Sequence, residues 1–291
     1  MKGPRRLKPV DLITYLALLV LIVTTVATRP LNPHVPALLV KYGGLTLALT
    51  LLWWLDRGHV CVVRLLHAFY PLLFVAVIFD SIADLLPWVS PFVRDTLLIQ
   101  LDHALLGVHP TVWLERFIHP VLTELLTWAY ASYYFLPVIL AVPLYRWGKA
   151  GDFDRAVCGM TLGFYLSYLG YFLIPAVGPR FTLAHLQTVD LHGVFAADTI
   201  WETLNALERF KRDAFPSGHT AVVLLVLWYA RQFVRRLFWI LLPVVVALIC
   251  STVYLRYHYV IDVLAGILLA LLCLVVERMT TVLWWRRAGD G

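Results

Sequence analysis

Two short segments of this 291-residue chain hold the side chains best suited to chemistry. One is Arg212-Asp-Ala-Phe-Pro-Ser-Gly-His219; the other is Ser251-Thr-Val-Tyr-Leu-Arg-Tyr-His258-Tyr-Val-Ile-Asp262-Val-Leu-Ala-Gly266. His258 and Asp262 are four apart, so on a helix they share a face. A carboxylate one turn below an imidazole fixes its tautomer and raises its basicity, leaving the other ring nitrogen free to attack. In the first segment a proline and a glycine open an apolar helix, and Pro216 suits the first turn, where its missing N–H costs nothing. Ser217 and Gly218 then offer backbone amides at the positive end of the helix dipole, a cradle for an anion. His219 stands beside them as a titratable proton donor. A metal held by the two histidines with Asp262 is the other chemistry these residue types allow.

The elements that must position these groups are membrane helices. The chain is 61% hydrophobic, 14% aromatic and only 14% charged, whereas a soluble domain averages about 25% charged residues. So few charges cannot cover a water-exposed surface, which excludes a soluble globular or disordered protein. A span needs roughly 17–25 residues, and eight apolar runs qualify, near 10–28, 37–55, 60–79, 121–145, 156–177, 215–231, 237–255 and 259–284. The first begins after a basic N-terminus but is too long for a signal-peptide core, so it reads as a retained helix. Residues 80–120 interleave Asp80, Asp84, Asp95 and Asp102 with apolar residues and are expected to lie along the interface. The fold class is an all-α polytopic bundle of six to eight spans. Residues 1–119 form N-terminal membrane helices and an interfacial segment, and residues 120–291 a catalytic core, within one membrane domain. Cys61, Cys158, Cys250 and Cys273 lack metal or disulfide spacing and read as apolar side chains.

The net charge of +6 sets topology and does not mark a nucleic-acid partner, because the bases flank apolar runs. With both termini cytoplasmic, fifteen of the 24 cations lie inside and nine outside. Five of those nine (Arg180, Arg209, Lys211, Arg212 and Arg256) crowd around the two chemical segments, and an anion is the obvious reason to hold them there. Seven further histidines (His34, His67, His103, His109, His119, His185 and His192) read as satisfied interfacial residues.

Pro216-Ser-Gly-His219, followed by Ser251, His258 and Asp262 in that order and spacing, resembles the type 2 phosphatidic acid phosphatase superfamily. That superfamily shares its site with vanadium haloperoxidases and bacterial acid phosphatases. The resemblance covers residues 120–284 in layout. It implies that His258 is the nucleophile forming a phosphohistidine, that Asp262 orients it, and that His219 protonates the leaving alkoxide. It also implies that Ser217 and Gly218 bind phosphoryl oxygens, and that the chemistry needs no metal or cofactor.

Two positions depart from the family pattern. The usual Lys seven residues before the first-motif Arg is Leu173 here, ahead of Gly178-Pro-Arg180, and the Arg of the Ser-Arg pair is Thr252. Both substitutions resemble the branch of fungal inositol phosphorylceramide synthases and their bacterial relatives, which move a phosphoryl headgroup between lipids. Arg180 is then expected to stay in the phosphate site, with Arg256 or Lys211 and Arg212 replacing the lost charge. Loop 181–214, with Trp201 and Phe210, is a candidate acceptor site or cover. The expected function is lipid phosphotransfer to an alcohol at the outer face. The alternative is a phosphatase acting on phosphatidic acid, phosphatidylglycerophosphate or polyprenyl pyrophosphate. A transporter or inactive lipid-binding relative is the non-enzyme reading, disfavoured by the expected absence of broken half-helices and paired charges in the spans.

Overall fold

A computed structural model describes residues 7–56, 60–207 and 211–289. Among them there is no β-strand, only an isolated bridge between Ala176 and Asp213. Three helices come first: α1 (Pro9–Ala27), α2 (Val35–Leu55) and α3 (Cys61–Val89). A short pair follows, α4 (Asp95–Leu106) and α5 (Pro110–Trp113). Next come α6 (Pro120–Ala131) and α7 (Leu136–Trp147), joined by a 3-10 turn, then α8 (Ala150–Leu173). After the short α9 (Pro179–Thr182) and α10 (Ala197–Leu207) the chain closes with α11 (Gly218–Phe233), α12 (Arg235–Tyr254) and α13 (Val260–Gly289).

Among the described residues six helices are long and apolar enough to cross a membrane: α1, α2, α3, α8, α12 and the 260–280 part of α13. The outward faces confirm the solvent: Leu12, Leu16, Leu19 and Val23 of α1 and Leu268, Leu271 and Val275 of α13 are all exposed. Water would penalise such stripes, whereas lipid tails accept them. The protein is an integral membrane helix bundle.

Helix α11 occupies the centre. Ala221, Val222, Val223, Leu225, Val226 and Tyr229 are fully buried, against α7, α8, α12 and α13. In lipid, apolar burial alone does not drive helices together, so close packing of small residues must do so. Gly159 and Gly163 of α8, spaced four apart, face Tyr229 and Leu225; a Cβ at Gly163 would come within 2.7 Å of the Leu225 side chain. With 16 residues, α11 is shorter than a lipid-facing span, and most of its surface is packed against neighbouring helices, with Trp228 exposed.

Several sequence expectations need correction. The fourth span, read as continuous, breaks at Ser132–Tyr134 and bends by 48°, because Pro137 cannot donate to the preceding turn and disfavours helix just before itself. The third does not stop at residue 79 but continues to Val89, with Asp80 neutralised at 3.0 Å by Lys41 of α2. In residues 95–106 the acids Asp95 and Asp102 turn inward and are buried, while Leu97, Leu101 and Leu105 are exposed. His67 is also buried, between Asp11 at 3.3 Å and Asp56 at 3.1 Å. These ion pairs and the broken α6–α7 remove the argument against a transport path, which therefore passes to the site itself.

Candidate active site

The two chemical segments meet at one end of the bundle. Ser217 is the N-cap of α11, its hydroxyl accepting from the Thr220 amide at 3.2 Å and the Thr220 hydroxyl at 3.0 Å. Gly218 and His219 head the helix, where the first amides have no partner within the helix. Pro216 stands before the N-cap, across a cis peptide from Phe215, and not within the first turn. The Ser217 amide is already used, donating to the Asp262 carbonyl at 3.0 Å, which locks the head of α11 to the start of α13.

His258 lies in the turn between α12 and α13, since α13 begins at Val260. The Thr252 carbonyl accepts from both Tyr257 and His258 amides, at 3.0 and 2.9 Å, and folds this turn back on α12. His258 and Asp262 are thus not on one helix, yet Nδ1 of His258 is 3.4 Å from Oδ2 of Asp262. A closer partner of Nδ1 is the Ala214 carbonyl, at 2.8 Å. A carbonyl can only accept, so Nδ1 carries the proton and Nε2 the lone pair. That Nε2 lies 3.5 Å from Nδ1 of His219. Burial pushes the His258 imidazole down to about 4, with Arg180 adding to the effect and the Asp213 and Ala214 oxygens opposing it. The ring is therefore neutral and nucleophilic at ordinary pH. Asp262 is fully buried, with Oδ2 accepting from the Tyr259 amide at 2.8 Å.

Aromatic rings fix His219. It stacks on Tyr130 with centroids 4.7 Å apart and lies 4.1 Å from Tyr133; Tyr257 stacks on the far face of the group, 4.3 Å from Tyr130. The break between α6 and α7 is what brings Tyr133 there. Nε2 of His219 is buried without a hydrogen-bond partner among the described residues. Beside His219 opens a cavity of about 310 Å³ walled by α3, α7 and α8, through Val75, Phe79, Pro137, Phe164 and Tyr168, with Asp213 also lining it.

The candidate cations divide. Arg180 caps the column of rings, its guanidinium 4.6 Å from the Tyr257 ring and 4.7 Å from Phe181, and donates to Asn205 of α10 at 2.6 Å. Lys211 reaches the same Phe181 ring at 5.6 Å. Arg212 turns instead to the Ser90 and Pro91 carbonyls, at 3.5 and 3.2 Å. Arg256, in the left-handed region at φ 66°, pairs with Glu115 at 2.9 Å and donates to the Val189 carbonyl. It ties the turn that carries His258 to Glu115 and to the segment around Val189. Arg209 and Phe210 lie outside the described residues. Thr252, where the family pattern has Arg, bonds its own helix at the Ile249 carbonyl, 2.7 Å away.

Residues 181–207 are held by hydrogen bonds to the rest of the bundle and do not form an open loop. Glu124 receives the amides of Val194, Phe195, Ala196 and Ala197 at 3.0 to 3.2 Å, and Glu115 that of Thr188 at 3.0 Å. Sequence reasoning missed these glutamates, as well as the Ala214 carbonyl, Asn205 and the tyrosine stack. Only the two acids left a signal, as charges in otherwise apolar stretches.

A buried neutral histidine facing a second histidine, both at the end of a membrane bundle and beside an apolar cavity, defines a membrane-embedded site fit for phosphoryl chemistry. Residues 96–276 match the model of the PAP2 superfamily, and the chain belongs to that superfamily. A PA-phosphatase related-family protein of Dictyostelium discoideum is 23% identical over 181 residues, covering 55% of this chain. The chain spans 33% of the length of that curated relative. No solved structure matches it.

Proposed function

We propose that the protein transfers phosphoryl groups from membrane lipid phosphoesters through a phosphohistidine at His258. The observation that carries this reading is the pair of histidines: Nε2 of His258 bears its lone pair toward a space shared with His219, 3.5 Å away. In the first step Nε2 attacks phosphorus, the bond from phosphorus to the lipid oxygen breaks, and His219 delivers a proton to that oxygen. Arg180 and the amides heading α11 stabilise the charge on the equatorial oxygens. In the second step an oxygen nucleophile gives its proton to His219 and takes the phosphoryl group from His258. The cavity beside His219 supports placing the lipid on the leaving side, where an apolar chain stays among apolar walls.

Two acceptors fit the second step. An alcohol acceptor, giving transfer between lipids, is supported by Leu173 and Thr252 standing where the family pattern has Lys and Arg. Water, giving a phosphatase, is supported by the printed name of the Dictyostelium discoideum relative. The excess of cations on the opposite side supports an extracytoplasmic site with both termini cytoplasmic.

The test is turnover by detergent-solubilised protein of phosphatidic acid, phosphatidylglycerophosphate, polyprenyl pyrophosphate and phosphatidylinositol, the last with and without a ceramide or diacylglycerol acceptor. Free phosphate supports the phosphatase, and headgroup transfer without free phosphate supports the transferase. Turnover unchanged in both His219→Ala and His258→Ala would refute both.

A further inference from the structure

Two acids of α4 are almost fully buried, Asp95 at 3% exposure and Asp102 at 1%. Seven residues apart, they lie on one face of that helix. Each spends its oxygens on backbone amides, and each on a different loop of the site. Asp95 accepts from the amides of Val177 (3.0 Å) and Gly178 (2.9 Å), immediately before Arg180. The Tyr259 hydroxyl donates to it too, at 2.9 Å. Asp102 accepts from Val260 at 2.9 Å and Ile261 at 2.8 Å, the first two amides of α13. It acts there as an N-cap supplied by another helix, where a carboxylate also meets the positive end of the dipole.

We infer that α4 is the positioning element of the site, with Asp95 setting the Arg180 loop and Asp102 setting the start of α13 that carries Asp262 beside His258. The inference rests on the phosphoryl-transfer reading. No other link from α4 is needed: the Arg180 amide already donates to the Arg256 carbonyl at 2.9 Å, so the two loops touch, and the two aspartates hold both to one rigid rod. The residue type follows from the bonding. Val260 and Ile261 reach different oxygens of Asp102, and three donors share both oxygens of Asp95, so Asn would set an NH2 group against one of the donors, whereas a carboxylate accepts at both positions.

Asp95→Asn and Asp102→Asn test this with quantities independent of how much protein is folded. With the lipid phosphate that the wild type turns over best, Asp95→Asn raises KM about tenfold, the equivalent of one charge-assisted hydrogen bond. Asp102→Asn raises the inhibition constant of orthovanadate, a mimic of five-coordinate phosphorus, by a similar factor while KM stays within threefold. A merely structural role lowers the active fraction and the melting temperature but leaves KM and the inhibition constant at wild-type values, and that result overturns the inference. Tyr259→Phe removes one donor from Asp95 and keeps both carboxylates; it raises KM about threefold if the inference holds, and an unchanged KM overturns it even where the aspartate variants do not fold. His258→Ala in the same assay separates the two readings. If it matches wild type, the phosphoryl-transfer reading fails. If it is inactive while the aspartate variants keep wild-type constants, only the positioning role fails.

Discussion

His258 donates from Nδ1 to the Ala214 carbonyl at 2.8 Å and turns Nε2 toward Nδ1 of His219 at 3.5 Å. One ring is thus anchored by backbone and the other by stacked tyrosines, so the two nitrogens face each other without either being a surface group. His258→Ala is expected to abolish turnover, and His219→Ala to lower kcat about 10²- to 10⁴-fold, the usual contribution of a general acid. Single-turnover experiments with labelled lipid phosphate check the assignment, since label should remain on the His219→Ala protein in an acid-labile, base-stable form and be missing from His258→Ala.

The pH dependence follows from burial of His258. In the proposed mechanism its neutral form is the nucleophile, and burial holds its value down to about 4. As pH falls through that value the ring protonates and the lone pair is lost, so kcat/KM, which reports the free enzyme, falls on the acid side near pH 4 and not near 6.5. Removing the Arg180 charge with Arg180→Gln moves this limb upward. A limb that stays fixed in that variant contradicts the assignment.

Arg180 is placed by stacking and by a planar hydrogen bond to Asn205. Arg180→Ala is expected to lose about 10²- to 10³-fold in kcat/KM, the scale of one lost donor to a developing oxyanion. Arg180→Lys restores little, because an ammonium cannot stack or form the fork. Asn205→Ala gives a smaller loss confined to KM. Steady-state kinetics on the three variants distinguishes these outcomes.

Arg256 and Glu115 are each 10% exposed at the side chain. Removing one partner of such a nearly buried pair costs about 3–5 kcal/mol, while replacing both costs less. Thermal unfolding should therefore show Glu115→Ala as more destabilised than the double variant Glu115→Gln, Arg256→Met. In the double variant KM for the lipid phosphate is expected within threefold of wild type, because Arg256 faces the segment around Val189.

Gly178 has φ +89°, and a Cβ there would meet the Tyr257 carbonyl oxygen at 2.5 Å. Gly178→Ala combines a backbone penalty of about 1–2 kcal/mol with a displaced Tyr257. Both a lower melting temperature and a raised KM are expected, the second because Tyr257 carries Arg180.

The membrane character and the histidine motifs were legible because they are written in residue type. Scarce charge betrays the lipid, and Pro216-Ser-Gly-His219 with His258 and Asp262 carries its spacing in the chain. What escaped was written in backbone or in distance. The tautomer of His258 depends on the Ala214 carbonyl, which any residue would supply. Asp80 looked like the end of a span because its neutraliser, Lys41, is 39 positions away. The burial of Asp95 and Asp102 was hidden for the same reason, their partners lying more than 80 residues further on. The pairing of Arg256 with Glu115 could not be seen either, the two lying 141 positions apart.

The cavity beside His219 is walled by helices that themselves face lipid. On the proposed reading a lipid phosphate that reaches His219 through it stays in the bilayer, so supply is a two-dimensional process. Turnover then tracks the mole fraction of substrate among the surrounding lipids, and adding inert detergent or lipid slows the reaction by surface dilution even when the bulk concentration is unchanged.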